Sequence, residues 1–444
     1  MKKLFSNDDL KKLIIPLVLE QALAITVGMA DTMMVSSVGE AAVSGVSLVD
    51  MYNMLTFSIL SALATGGSVV VSQNIDAVKL SDARKAANQL LITVLVLSAA
   101  LACFSVGLKG PLLKLLFGKI EADVMEAALI YLTISGISYP FLGIYNACAA
   151  LFRSMGKTSI TFKVSLLGNV INVAGNAICI FRLHMGVAGV AIPSLVSRAV
   201  MGMILYGMLN REKYEVHFIA GRLKADWGII QRILYIGIPS GIENGIFQLG
   251  RVLVVSIISG FGTVQIAANG VANSLDNIGS LVGTAMNLAM IAVIGRCVGA
   301  GDEDQIRYYL KKLILITYVA TAAVNIPVLL LLKPVLAIYG LSPETTRLAW
   351  ILVMIHNGMA MFLWPMSFTF PNMLRACNDV KYPMVISIFS MFAFRVGFSY
   401  VLGAQMGMGA IGVWIAMVLD WIFRITGFAL RYLHGDWKRT MRRQ

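Results

Sequence analysis

Near its start the chain reads Pro16-Leu-Val-Leu-Glu20-Gln-Ala-Leu-Ala-Ile-Thr-Val-Gly-Met-Ala-Asp31, a stretch apolar enough for lipid that nevertheless contains two carboxylates. They are eleven residues apart, so Glu20 and Asp31 lie on one face of a helix, roughly 16 Å apart along its axis. A carboxylate near mid-bilayer costs roughly 2.5–3.5 kcal/mol on insertion scales, and such residues usually face a water-filled cavity or a bundle interior. We therefore interpret this helix as a site for cations.

The composition is that of a membrane protein. Of 444 residues, 58% are hydrophobic and 13% are charged, with a mean hydropathy of +0.79, whereas a soluble protein carries about 25% charged residues. Apolar runs long enough to cross a bilayer recur along the whole chain. The sequence predicts an all-α polytopic protein with twelve transmembrane helices, the first of them a retained span rather than a signal peptide. The predicted spans are 13–36, 46–73, 88–108, 124–150, 161–181, 187–209, 234–259, 269–298, 311–332, 347–372, 382–403 and 409–432.

The net charge of +13 would suggest a nucleic-acid partner in a soluble protein, but its distribution points to a membrane. Of the 36 Lys and Arg residues, 26 lie in the N-terminal segment, in every second loop and in the C-terminal tail. This positive-inside pattern predicts that both termini are cytoplasmic and that no nucleic acid is bound. The basic residues of the connector and the C-terminal tail include Arg222, Lys224, Arg442 and Arg443.

The chain contains an internal repeat. A shift of 223 residues superimposes Pro16 on Pro239, Glu20 on Glu243, Gly39 on Gly262, Ala62 on Ala285 and Arg84 on Arg307. Six spans per unit give parallel halves related by a pseudo-two-fold axis along the membrane normal, with a site expected between them. We predict an N-lobe of six helices (1–210), a cytoplasmic connector (211–232), and a C-lobe of six helices that ends in a basic tail (233–444).

Polar residues inside the spans are the candidate functional groups. Asp31 has no counterpart in the second half, because position 254 is Val. Asn169, Asn172 and Asn176 share one face of the fifth span, with spacings of three and four residues. Their equivalents are Phe392, Arg395 and Ser399, so this polar face is confined to the first half. A carboxylate with amide oxygens is a ligand set for Na⁺, although a buried carboxylate can equally take a proton, and asparagines can simply hold helices together.

The other intramembrane charges have weaker interpretations. Glu20 and Glu243 each lie four residues after a proline, where a carboxylate serves either the fold or the transport path. Asp50 and Asp276 are candidates for lining a substrate cavity. We interpret Arg395, Asp420 and Arg424 as structural ion pairs, since unpaired charges at that depth are costly. We interpret His356 as structural.

Several stretches resemble the multidrug and toxic compound extrusion (MATE) family of the MOP flippase superfamily. They are Gly28-Met-Ala-Asp31-Thr-Met-Met, Leu-Phe-Arg153-Ser-Met-Gly-Lys-Thr, the Gly-Val-Ala-Gly-Val-Ala run at 186–191, and Gly237-Ile-Pro-Ser-Gly-Ile-Glu243. The resemblance implies a V-shaped fold of two six-helix lobes. It further implies that Asp31, Asn172, Asn176 and Ser194 form an N-lobe cation site. The acid that one branch of the family carries on its tenth helix has no match here, where the chain reads Trp364-Pro-Met-Ser-Phe-Thr.

The resemblance implies a secondary active multidrug exporter rather than an enzyme. Such a protein would exchange cationic or amphiphilic organic compounds for Na⁺ or H⁺ by alternating access, as a monomer in a prokaryotic cytoplasmic membrane and with no cofactor besides the coupling ion. If the ion is Na⁺, Asp31, Asn172 and Asn176 would bind the metal. The alternative within the superfamily is a flippase for lipid-linked oligosaccharides, which needs clustered basic residues; only Arg198, Arg251, Arg395 and Arg424 lie inside spans. An enzyme acting on lipids would need a metal-ligand cluster or a nucleophile with its base, and the four scattered histidines supply neither.

Overall fold

The structure is a computed structural model that describes residues 3–76, 80–117, 121–218 and 225–441. The predicted basic positions Arg222, Lys224, Arg442 and Arg443 lie outside these residues. Within them the chain is nearly all helical, and twelve helical segments are long and apolar enough to cross a membrane. The prediction of twelve transmembrane helices is therefore confirmed.

The helices are numbered in chain order. They are α1 (Asn7–Ser36), α2 (Glu40–Asp76), α3 (Leu80–Gly107), α4 (Lys109–Phe117), α5 (Ala122–Ser154), α6 (Thr158–Ala177), α7 (Ala188–Leu209), α8 (Trp227–Ser259), α9 (Thr263–Gly299), α10 (Glu303–Leu330), α11 (Leu332–Ile338), α12 (Pro343–Trp364), α13 (Pro371–Ala376), α14 (Lys381–Ser390), α15 (Gly409–His434) and α16 (Asp436–Met441). Four π-helical turns extend or join them, at Ile178–Arg182, Pro365–Thr369, Met391–Gly397 and Ser399–Gln405.

Several helices begin earlier than the apolar runs predicted. The helix α1 begins at Asn7, because Ser6 and Asp9 form a capping box in which each side chain accepts a hydrogen bond from the other residue's backbone N–H. The helix α10 begins at Glu303, where the Asp302 carboxylate accepts from the first free N–H groups. Backbone hydrogen bonds and capping side chains extend a helix beyond its apolar part, so hydropathy alone places the first residue of these helices too late in the chain.

The described chain divides into two compact units. The first runs from Phe5 to Gly241, and the second comprises the described residues up to Leu4 together with those from Ile242 onward. The beginning of α8 therefore belongs to the first unit, although the sequence placed the start of the C-lobe at residue 233. A close approach of α2 explains this, since a Cβ atom at Gly66 would lie 2.5 Å from the carbonyl oxygen of Ile233.

Each unit has its own hydrophobic core. In the first unit, buried side chains such as Val49, Leu113 and Leu132 pack together. In the second, buried tryptophans, Trp414 and Trp421 among them, pack with the aliphatic side chains of α9 and α12. The polar groups described below lie on helices that these cores hold in place.

Candidate functional site

The predicted cation-site residues lie together in the first unit. The helix α1 packs against α6, and α6 packs against α7. Because Asn172 and Asn176 are one turn apart on α6, both side chains reach the same side of that helix. They lie between Asp31 on α1 and Ser194 on α7.

These four side chains form a continuous hydrogen-bonded row. The Asn176 amide Nδ2 donates to Asp31 Oδ1 at 2.7 Å and lies 3.4 Å from Asn172 Oδ1. The Asn172 Nδ2 in turn donates to Ser194 Oγ at 2.9 Å, and that hydroxyl donates to the Val190 carbonyl at 3.0 Å. The row brings carboxylate, amide and hydroxyl oxygens from three helices to one place.

One oxygen in this row has no hydrogen-bond partner among the described residues. The Asn176 side chain is fully buried, and its Oδ1 accepts no hydrogen bond from the described protein atoms. A buried acceptor is normally satisfied, so its position favours an additional donor or a cation beside it. Asp31 is only partly exposed, and the donor set is all oxygen, which fits a hard cation. Among the described residues no group of three or more His, Cys, Asp or Glu side chains could hold a metal ion, and Asp31 is the one carboxylate in this hydrogen-bonded row.

Asp50 lies in a second polar cluster of the first unit. Its Oδ1 accepts hydrogen bonds from Tyr131 Oη at 3.0 Å and from Asn53 Nδ2 at 3.2 Å, and Tyr139 Oη donates to Asn53 Oδ1 at 2.7 Å. Nearby, Arg198 donates to Ser138 Oγ at 2.7 Å and lies over the ring of Phe57. The sequence singled out Asp50 as a cavity residue but missed these tyrosines, whose only signal was a hydroxyl inside a predicted span.

Glu20 forms a buried ion pair rather than an isolated charge. Its Oε1 lies 2.7 Å from Arg153 Nη2 and accepts from Tyr145 Oη at 3.1 Å, while Oε2 accepts from Thr161 Oγ1 at 3.3 Å. The Glu20 side chain is 8% exposed and that of Arg153 is 16% exposed. The pair joins α1 to the end of α5.

The second unit repeats this arrangement. Glu243 Oε2 on α8 lies 2.6 Å from Arg375 Nη2 on α13, and Arg375 also donates to Asn372 Oδ1 at 2.7 Å. Glu243 is related to Glu20 by a shift of 223 residues and Arg375 to Arg153 by 222. Both repeats therefore retain the same pair. The matched arginines were visible in the repeat alignment, but nothing in the sequence joined them to the glutamates.

The predicted ion pairs of the second unit form one group. Asp420 Oδ1 accepts from Arg424 Nε at 2.9 Å and from the Ser390 hydroxyl. Arg395 Nη1 is 3.9 Å from Asp420 Oδ2, which is within ion-pair range but too long for a hydrogen bond. Asp420 is fully buried, so its charge is balanced chiefly by Arg424.

Asp276 lies against His356, which we interpreted as structural from the sequence. Its Oδ1 is 2.7 Å from His356 Nε2, and the imidazole is packed edge-on against Trp414 and Trp421. The His356 side chain is 3% exposed and that of Asp276 is 22% exposed. The predicted cavity residue on α9 is therefore tied to α12.

Comparison with known proteins gives a consistent result over the whole chain. The model of the family MatE matches twice, at residues 16–178 and 239–401, two ranges that differ by the repeat shift of 223. The probable multidrug resistance protein NorM of Thermotoga maritima is 25% identical over 97% of this chain and 93% of its own length. Human multidrug and toxin extrusion protein 1 is 20% identical over 98% of this chain and 76% of its own.

Solved structures agree on the fold. A crystal structure of MATE in complex with MaL6 superimposes with a TM-score of 0.91 at 19% identity, covering 98% of this chain and 97% of that one. At this identity the similarity establishes the arrangement of helices, and the chemistry has to be argued from the side chains present here.

Proposed function

Because this chain belongs to the MatE family of membrane transporters, we propose that it is a secondary active exporter of cationic or amphiphilic organic compounds. The coupling ion is Na⁺ or H⁺, and transport proceeds by alternating access. Relatives named for multidrug resistance and for multidrug and toxin extrusion support this substrate class. The basic bias of alternate loops supports an orientation with both termini in the cytoplasm. We propose that the protein works as a monomer in a prokaryotic cytoplasmic membrane.

The observation that carries the proposal is the row from Asp31 to Ser194. A carboxylate inside a span is costly unless it is balanced, and among the described residues Asp31 is within ion-pair distance of no Lys, Arg or His side chain. Its hydrogen bond comes from the neutral amide of Asn176 at 2.7 Å. A positive ion is therefore the natural balancing partner, and the unpaired Asn176 Oδ1 lies on the same side chain.

The two possible coupling ions would use this row differently. Na⁺ would be bound by oxygens of Asp31, Asn172 and Asn176 together, with Ser194 within reach of the same group. A proton would need only the Asp31 carboxylate, and the asparagines would then position it. The oxygen-rich surroundings suit Na⁺, whereas the single carboxylate suits either ion.

The free energy of the ion gradient limits how far the substrate can be accumulated. When a substrate of charge +1 is exchanged for one Na⁺ or H⁺, no net charge crosses the membrane and the membrane potential contributes nothing. A tenfold ion gradient then supports about tenfold accumulation, roughly 1.4 kcal/mol. A neutral substrate would gain a further ~2.3 kcal/mol per 100 mV.

The test is export of a fluorescent organic cation from proteoliposomes, driven in turn by a Na⁺ gradient and by a pH gradient. We expect movement under one gradient and its loss in Asp31→Asn. The control is Asp82→Asn, the same chemical change at a carboxylate that is 48% exposed. Normal export by a well-folded Asp31→Asn protein would overturn the site. Failure of several dyes under both gradients would overturn the substrate class and favour the flippase alternative.

A further inference from the structure

A polar cavity lies within the second unit. It has a volume of about 50 Å³ and is lined by residues of α8, α9, α15 and the π-helical turn Met391–Gly397. Its polar lining consists of Arg251, Arg395, Asn269, Asn273 and the indole of Trp414. None of the lining residues in the described chain is acidic, so this cavity presents positive charge.

The carboxylates of the described residues balance this positive charge only in part. Among the described residues no carboxylate lies within 4 Å of Arg251. The Arg395 Nε is buried and has no hydrogen-bond partner in the described part of the chain. The Asp420 carboxylate is 3.9 Å from Arg395 and is already bonded to Arg424. Arg395 and Arg424 thus share the Asp420 carboxylate, and Arg251 has no carboxylate within 4 Å among the described residues. These groups lie in segments that cross the membrane, where an unbalanced charge is costly.

The position of the cavity in the repeat is informative. A shift of 223 residues places Asp31 on Val254, Asn172 on Arg395 and Ser194 on Met417, and all three of these second-unit residues line the cavity. The cavity therefore occupies the place that the candidate cation site occupies in the first unit. The carboxylate has been replaced by an apolar side chain and an amide by a guanidinium.

We propose that this cavity binds a carboxylate group, so that the second unit recognises substrates that carry an anionic group. Guanidinium groups bind carboxylates through paired, charge-assisted hydrogen bonds. A volume of about 50 Å³ has room for about three or four water-sized groups, which accommodates a carboxylate but not a pyrophosphate. The rest of such a ligand lies outside the cavity. This inference extends the proposed function by a substrate class, and it is tested by binding alone.

The experiment uses three ligands of nearly equal shape and different charge: 4-fluorobenzoate, 4-fluorobenzamide and 4-fluorobenzamidine. Binding to the purified full-length protein in nanodiscs is measured by broadening of the ¹⁹F signal. We expect the carboxylate to bind more tightly than the neutral amide. The substitutions Arg251→Gln and Arg395→Gln should each weaken its binding by about tenfold to a hundredfold and leave the benzamidine signal unchanged.

Two controls keep the outcome clear. Arg347→Gln makes the same change in charge at an exposed arginine near the start of α12 and should bind 4-fluorobenzoate as the wild type does. Arg251→Gln removes no ion pair found in the described chain, so it tests the cavity even if Arg395→Gln disturbs Asp420. Equal binding of benzoate and benzamide, or undiminished benzoate binding by Arg251→Gln, would show that the cavity holds only water. Failure of ion-driven export would leave this binding result standing.

Discussion

The pair formed by Glu243 and Arg375 gives a quantitative test of what the repeat preserves. Its atoms are 2.6 Å apart, with side chains that are only 10% and 13% exposed, so solvent screens the pair little. Removing one partner of a buried ion pair costs roughly 3–5 kcal/mol, because the other charge is left unbalanced. Arg375 keeps its hydrogen bond to Asn372, which places Glu243→Gln near the lower end, at about 3 kcal/mol.

A double-mutant cycle separates the charge from the shape of the side chains. We expect Glu243→Gln and Arg375→Gln each to lose about 3 kcal/mol, and the double substitution to lose little more than either one, since no unbalanced charge remains. The assay is equilibrium unfolding of the purified protein in detergent, followed by circular dichroism. The matched control is Asp82→Asn, whose partner Lys85 is 42% exposed and whose loss should cost less than about 1 kcal/mol.

Two results would refute this reasoning. If the losses of the single variants add in the double variant, the two side chains do not act as a pair. If Glu243→Gln is as stable as the wild type but no longer exports dye, the carboxylate serves the transport path, as the sequence left open, rather than the fold. The same cycle on Glu20 and Arg153 should give a similar result in the first unit, because the repeat places them equivalently.

Three further predictions concern single positions. Gly66→Ala should destabilise the protein by about 1–3 kcal/mol in thermal unfolding, because its Cβ would meet backbone atoms, whereas Gly270→Ala, with open space around it, should not destabilise it. Asp302→Ala should lower the free energy of unfolding by about 1 kcal/mol at neutral pH. Backbone N–H groups at the start of α10 lower the pKa of the Asp302 carboxyl, so this stabilisation is lost as the pH falls below about 4. Equilibrium unfolding of the variant and the wild type at neutral pH and below about pH 4 measures the difference. Asn176→Ala should raise the ion concentration needed for half-maximal export about tenfold. Asn169→Ala should leave this concentration unchanged, because the Asn169 amide donates its hydrogen bond to Ser165 instead.

The transmembrane spans were predictable because they depend on a local property. A run of about twenty apolar residues is sufficient to identify a span, and each predicted span corresponds to an observed one. The helix ends were less predictable, since capping groups such as Ser6 and Asp302 continue the helices into polar sequence. The short helices α4 and α11 were not predicted, because each is much shorter than the run of about twenty apolar residues that identifies a span.

The side-chain partners could not be predicted in the same way. Helical spacing placed Asn172 and Asn176 on one face, but their meeting with Asp31 depends on α6 packing against α1, which only the resemblance implied. Arg153 is 133 residues from its partner Glu20, and no local pattern joins them. In the second unit the turn Met391–Gly397 is π-helical, which changes the direction of Arg395 relative to the α-helical spacing assumed from sequence.

The repeat separates positions that hold each bundle together from positions that distinguish the two. Both halves keep a glutamate four residues after a proline, and an arginine that forms an ion pair with it. This is expected if each bundle needs the ion pair for its own stability. At Asp31 and Asn172 the halves differ, with Val254 and Arg395 in the equivalent places. A duplicated bundle can change the charge of such a position without losing its fold, because the pair that stabilises it lies elsewhere. The divergence therefore points to two sites of opposite polarity, one suited to a cation and one to an anionic group, built on the same arrangement of helices.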